Sequence, residues 1–367
     1  MVFHLRTTRA TSKNSQRGIS TDAGSRRASN RPLLCAVTLI LAACSSTDPD
    51  NRGAGGGIKD PAIEQDAQRR LAERDEAISR NNDFSLALVR IDKALDEYTT
   101  NVSKSENIVA QRRADSLKTY LETQSRRFDR QLLEALGSDA ARQRGIAAAA
   151  LGFSGEDIAV EPLENALDDE EEFVRTNAAL GLGQLASTAT RIDGLVGRAL
   201  DDKASALERR AAAWALYRIQ NAMRPKGFVP LRDGKFSKVW PALLAGNTLD
   251  KDGILTVQAL RGLGMLRDPS TLEDAARYLS HPQALIRQAA LVAVARTRNR
   301  KGAPMILPFL STTEQNPNVR LAARKALKAL TGDRVDYEYD TKQWRKEFQD
   351  VIEASATSDG NATTDQK

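Results

Sequence analysis

The stretch Glu172-Phe173-Val174-Arg175-Thr176-Asn177-Ala178-Ala179-Leu180-Gly181-Leu182-Gly183-Gln184-Leu185 sets a frame that recurs along the chain. With Arg175 as zero, Ala stands at +3 and +4, Leu at +7, Gly at +8 and Leu at +10. The frame fits Arg144, followed by Ala147, Ala148, Leu151 and Gly152, and Arg209, followed by Ala212, Ala213, Leu216 and Ile219. It fits Arg287 with Ala290, Leu291 and Val294, and Arg320 with Ala323, Leu327 and Leu330. Thr256 takes the Arg place ahead of Ala259, Leu260, Leu263, Gly264 and Leu266. Positions +3, +4 and +7 share one face of a helix. Small side chains there let another helix come close.

Each zero is preceded by a shorter amphipathic segment that ends in Leu, at Leu136, Leu167, Leu200, Leu244, Leu279 and Leu310. Turn residues such as Gly137-Ser138-Asp139, Asp168-Asp169, Asp201-Asp202 and Ser280-His281-Pro282 separate the two parts. The unit is helix, turn, helix, in about six copies over residues 131–333. A single pair cannot bury its apolar face, so neighbouring pairs must stack, and the expected fold is an all-α solenoid. Between the third and fourth units the chain holds some fifteen extra residues, an insertion at about 221–238.

This frame resembles that of HEAT repeats, in particular the short bacterial version related to phycobiliprotein-lyase repeats, with its V-R-x-x-A-A-x-A-L-G helix. The resemblance implies that the second helices line one side of the stack and that other proteins bind there. Thr256 and the insertion are departures, and they sit together.

Upstream of the repeats, residues 61–130 carry dense charge of both signs and no Gly, with Pro only at 61. Asn81-Asn82-Asp83 predicts a break between two helices. In the second, Phe84, Leu88, Ile91, Leu95, Tyr98, Val102, Ser105 and Val109 fall at alternating steps of four and three, the seam of a helical hairpin or coiled coil. Such a seam packs on the chain's own helices or makes the segment a self-associating stalk.

The N-terminus reads as an address. Pro32–Ala43 is a twelve-residue apolar run behind a basic stretch, too short for a membrane span and right for a signal-peptide core. Leu41-Ala42-Ala43-Cys44 followed by Ser45 resembles the lipobox of bacterial lipoproteins. The resemblance implies cleavage to remove residues 1–43, a lipid on the Cys44 thiol, and an outer-membrane protein facing the periplasm. Residues 44–60, with Gly53-Ala54-Gly55-Gly56-Gly57, suit a flexible tether. At the other end, residues 334–353 suit a cap on the open solenoid and residues 354–367 a disordered tail.

Composition narrows function. The chain of 367 residues is 41 % apolar and 28 % charged, with 54 basic and 48 acidic side chains. Seven basic residues and one acid lie within 1–43, so the rest of the chain is balanced and nucleic acid is not an expected partner. Beyond the leader one Cys (Cys44) and one His (His281) remain. They build neither a disulfide within the chain nor a Cys/His zinc site. No catalytic residue, metal or cofactor is expected, and His281-Pro282 reads as a turn.

The recurring Arg144, Arg175, Arg209, Arg287 and Arg320 are expected to bond turn carbonyls and neighbouring acids along the seam between units. Charge is segregated. Glu156–Glu172 holds nine acids and no base, whereas Arg287–Lys328 holds nine bases and one acid, Glu314. Five of the 18 aromatic residues lie in Trp214–Trp240 and four in Tyr337–Phe348. The candidate partner contacts are Trp214 and Trp240 around the insertion, and Arg296, Lys325 and Lys328 on the basic second helices. The expected function is a lipid-anchored envelope scaffold that binds other proteins. The alternatives are a structural protein holding wall polymer and a lyase-like enzyme.

Overall fold

The computed structural model describes residues 61–104, 106–223, 234–246 and 252–354. The leader, Cys44, the tether, the tail from 355 and part of the insertion lie outside the described residues. Among the described residues every regular element is helical. The order is α1 (Pro61–Val102), α2 (Ile108–Arg127), α3 (Asp129–Ala135), α4 (Ala141–Leu151), α5 (Val160–Asn165), α6 (Glu172–Leu185), α7 (Asp193–Leu200) and α8 (Ala206–Met223). There follow α9 (Gly234–Ser237), α10 (Val239–Gly246), α11 (Gly253–Leu266), α12 (Leu272–Ala276), α13 (Ala284–Thr297), α14 (Ala303–Ile306), α15 (Pro317–Leu330) and α16 (Thr341–Glu347).

The chain divides into two compact units at Asn81/Asn82. In the first, the described residues are helical and held by exposed ion pairs such as Arg70–Asp66 at 2.9 Å, a type worth a few tenths of a kcal/mol. The second unit contains the repeats. Six helix pairs follow one another: α3–α4, α5–α6, α7–α8, α10–α11, α12–α13 and α14–α15. The second helices form a continuous ridge, with α6 against α4 and α8, and α11 against α8 and α13, which in turn meets α15. The α-solenoid expected from the frame is the fold observed.

Why the frame stacks is visible at single residues. Leu182, at +7, is fully buried, a burial worth about 2 kcal/mol for one Leu side chain. Gly181 has no room for anything larger: a Cβ there would stand 2.4 Å from the Ala148 carbonyl oxygen, because α4 and α6 meet backbone to backbone.

The N-terminal helices depart from the sequence reading. α1 runs unbroken through Asn81-Asn82-Asp83. Asn and Asp are weak helix formers but cost only a fraction of a kcal/mol each, and helix formers flank them. The chain instead turns after Val102, and Asn107 starts α2 by accepting the Val109 and Ala110 N–H groups at 2.9 and 3.1 Å. The seam is therefore used only as far as Tyr98. Leu88, Ile91 and Leu95 are buried with Leu117 and Leu121 of α2, whereas Val102 and Val109 are exposed. Arg113 of α2 pairs with Glu97 of α1 at 2.7 Å. Phe84 meets Phe128, and Tyr98 meets Phe153 just past α4 edge to face at 5.3 Å. Hairpin and first repeat share one core.

Candidate functional site

The recurring arginines form a ladder between units. Arg144 Nη1 donates to the Ser138 and Asp139 carbonyls of its own turn at 3.0 and 3.2 Å. Its Nε and Nη2 fork onto Asp169 of the next unit at 2.7 and 2.9 Å. Arg175 repeats this with the Asp169 and Glu170 carbonyls and the Glu208 carboxylate. Arg287 repeats it with the His281 and Pro282 carbonyls and Glu314. Each guanidinium thus caps one turn and ties it to the next.

The ladder slips where the spacing does. In unit three Arg209 reaches only the Ala199 carbonyl among the described residues, and its neighbour Arg210 donates from Nε to both carboxylate oxygens of Asp252. Thr256 in unit four bonds the Asp252 carbonyl. In unit six Arg320 lies 5.0 Å over the Tyr339 ring, where lower units present a carboxylate. His281 is a turn residue: its Nδ1 accepts the Gln283 N–H at 3.0 Å.

The ladder also sets charge states. The hydrogen bond from Arg144 holds the Asp169 carboxyl below its ordinary value, against the opposing effect of burial. Burial pushes the Glu314 carboxyl up, but the Arg287 fork and the Asn316 N–H outweigh it and the group ends below its ordinary value.

Several acids of the run bond the next unit. Glu164 takes Arg191, Asp168 takes Arg198, Asp157 accepts from Ser187 and Glu172 from Ser205. These bonds leave most of the run open to solvent, with Asp168 and Glu170 83 % and 82 % exposed.

The aromatic candidates separate. Trp240 is fully buried, stacks on Phe236 at 6.4 Å, and donates from Nε1 to Gln220 Oε1 at 2.9 Å. Gln220 in turn donates to the Gly262 carbonyl, and the Trp240 ring fills the space beside Gly262 that a Cβ would need. Trp240 is therefore not a surface anchor. Its ring packs between α8 and α11, where the third and fourth units meet. Trp214 is half-buried over Gly183, with Arg218 5.7 Å from its ring. At the C-terminal end Trp344 and Phe348 are fully buried, Tyr337 packs on Trp344, and α16 lies against the turn that ends at Leu310.

The basic candidates separate too. Lys328 is bound to Asp336 of the C-terminal segment at 3.8 Å and is not among the residues that line the groove between α13 and α15. Arg324 pairs with Asp336, Arg300 with Asp350, and Arg287 with Glu314. Arg296 and Lys325 remain exposed, and no ion pair holds either among the described residues. They lie on opposite walls of one groove of about 420 Å³ between α13 and α15. Its apolar walls include Val292 and Leu321, 36 % and 38 % exposed, and its floor is made of Ala295, Ala322, Ala326 and Ala329. Neither Trp214 nor Trp240 reaches it.

Val292 and Leu321 escaped the sequence reading. Each lies one helical turn before the cation it accompanies, Arg296 and Lys325. An aliphatic residue at i and a cation at i+4 on an amphipathic helix is the signal available, yet every solenoid helix offers such pairs, and only packing shows which stay open.

Residues 130–217 and 241–328 match HEAT repeats, and the gap between the two stretches coincides with the junction that Trp240 fills. No curated protein matches. Among solved structures, the chain is similar to the CpcE–CpcF complex of phycocyanin lyase from Nostoc sp. PCC7120, at 19 % identity and a TM-score of 0.34, over 68 % of this chain and 91 % of that one. It is also similar to human deoxyhypusine hydroxylase in complex with glycerol, at 16 % identity and a TM-score of 0.25, over 74 % and 98 % of the two chains. Likenesses this low bear on neither activity nor partner. The protein carries HEAT repeats, stacked as an α-solenoid over both matched stretches.

Proposed function

We propose that this protein is a lipid-anchored scaffold of the bacterial cell envelope that binds other proteins through its solenoid. The observation that supports binding is the open groove between α13 and α15, where two unpaired cations flank exposed aliphatic side chains on an otherwise internally bonded stack. Groove-lining cations beside an apolar strip suit recognition of a protein surface. The groove lining includes no carboxylate, His, Cys or Ser. The leader and Cys44 support membrane attachment by acyl chains, which contribute about 0.8 kcal/mol per buried methylene. The lipobox resemblance supports attachment to the outer membrane, facing the periplasm.

The test is capture from envelope extract by the full-length chain, with labelled fatty acid followed in parallel. Lipid label that disappears in Cys44→Ser, together with one or more proteins retained at near-stoichiometric amounts, is the expected result. Capture of wall polymer alone would replace the protein-binding reading with the structural one. Undiminished lipid label in Cys44→Ser would remove the anchor.

A further inference from the structure

We infer that the groove between α13 and α15 receives a short amphipathic helix of a partner protein, with a small-residue apolar stripe flanked on both sides by Asp or Glu. This names the partner chemistry and therefore rests on the protein-binding reading.

Charge complementarity comes first. Of the nine bases in Arg287–Lys328, those that pair do so with acids of this chain, whereas Arg296 and Lys325 face each other across the groove with no acid between them. Two like charges lining one cleft raise the local positive potential and favour an acidic occupant. Because one cation stands on each wall, the occupant needs acids on both flanks of its apolar stripe.

Dimensions decide the occupant's form. The lining runs from Gln288 to Arg296 on α13 and from Asn318 to Ala329 on α15. At 1.5 Å per residue these are about 12 and 16 Å, which matches roughly ten residues of helix. The alanine floor lets a helix backbone approach, and Val292 and Leu321 then close over its small residues. Such a helix-in-groove contact is read as anchors at i, i+3, i+4 and i+7.

The probes are two fluorescent sixteen-residue peptides sharing one Ala/Leu stripe, one flanked by Glu and one by Lys. Anisotropy is recorded with the full-length chain at low and moderate salt. The acidic peptide should bind and the basic one should not, and affinity should weaken as salt rises. Arg296→Glu with Lys325→Glu should cost on the order of tenfold or more for the acidic peptide. The same variant should gain binding to the basic peptide. Both side chains are exposed, and an unchanged circular dichroism melt verifies that the stack persists. An uncharged block, Ala322→Leu, should also weaken the acidic peptide while leaving the charges in place.

Equal binding of the two peptides, or acidic-peptide binding unchanged by the double reversal, overturns the inference. Failure here with protein capture from envelope extract intact would leave the scaffold reading standing and move its contact elsewhere, with Trp214 the next residue to replace. Failure of capture with peptide binding intact would instead remove the envelope reading alone.

Discussion

Arg287 and Glu314 sit on successive units 27 positions apart and are joined by two parallel bonds, Nε to Oε2 at 3.0 Å and Nη2 to Oε1 at 2.9 Å. The same guanidinium holds the His281 and Pro282 carbonyls at 2.9 and 2.8 Å. One side chain therefore fastens a turn to itself and to its neighbour. Replacing Arg287 with Ala and Glu314 with Gln should each lower the thermal midpoint. The double variant should lose less than the two losses combined, with a coupling of about 1 kcal/mol in a double-mutant cycle. Strict additivity would mean that the fork contributes nothing beyond its separate halves.

The acid limb of stability should depend on Asp169. Its folded carboxyl ionises below the ordinary value of 3.8. A group depressed on folding adds stability that is fully present above its unfolded value and is lost as pH falls through the folded one. Asp169→Asn should therefore lower stability at neutral pH and flatten its fall below about pH 4. Denaturant midpoints measured from pH 7 down to pH 2 test this; an acid limb as steep as in the unchanged protein would refute it.

Trp240→Ala should be among the most damaging single changes, because it empties a buried site shared by α8, α10 and α11 and strips Gln220 of a partner. A loss of about 3–5 kcal/mol is expected. Trp214→Ala, at a half-buried position, should cost clearly less. Chemical denaturation of both variants checks the order, and the reverse ranking would place the keystone at the wrong tryptophan.

One substitution should stabilise. Ala186 ends α6 at φ 50° and ψ 36°, in the left-handed region that disfavours a Cβ by about 1 kcal/mol. Arg267 and Arg298 end α11 and α13 in the same way. Ala186→Gly relieves that strain without touching the apolar core and should raise stability by about 0.5–1 kcal/mol. A thermal midpoint that falls instead would show that the Ala186 methyl contributes more by packing than its backbone costs.

The residues of this chain determine its repeat unit, because each helix pair obeys local rules. Small and aliphatic side chains at +3, +4 and +7 define a face, Leu before the turn closes it, and an apolar face must be covered by the next copy. The role of Arg144, Arg175 and Arg287 was legible for the same reason, since a cation five to six residues past a turn can reach its carbonyls, whereas Arg209 and Arg320 depart from it where the neighbouring unit is irregular or ends. Four matters were decided only in three dimensions. Asn81-Asn82-Asp83 is compatible with helix or turn, and the helix continues, while Asn107 supplies the cap that reverses the chain. Trp214 and Trp240 are alike as residues, but packing between α8 and α11 buries Trp240 and leaves Trp214 half-open. Lys328 and Lys325 stand three residues apart, and Asp336 takes the first. Arg296 and Lys325, 29 positions apart, become opposite walls of one groove solely because α13 packs on α15. Burial and pairing depend on what arrives from distant units, and no spacing within one unit encodes it.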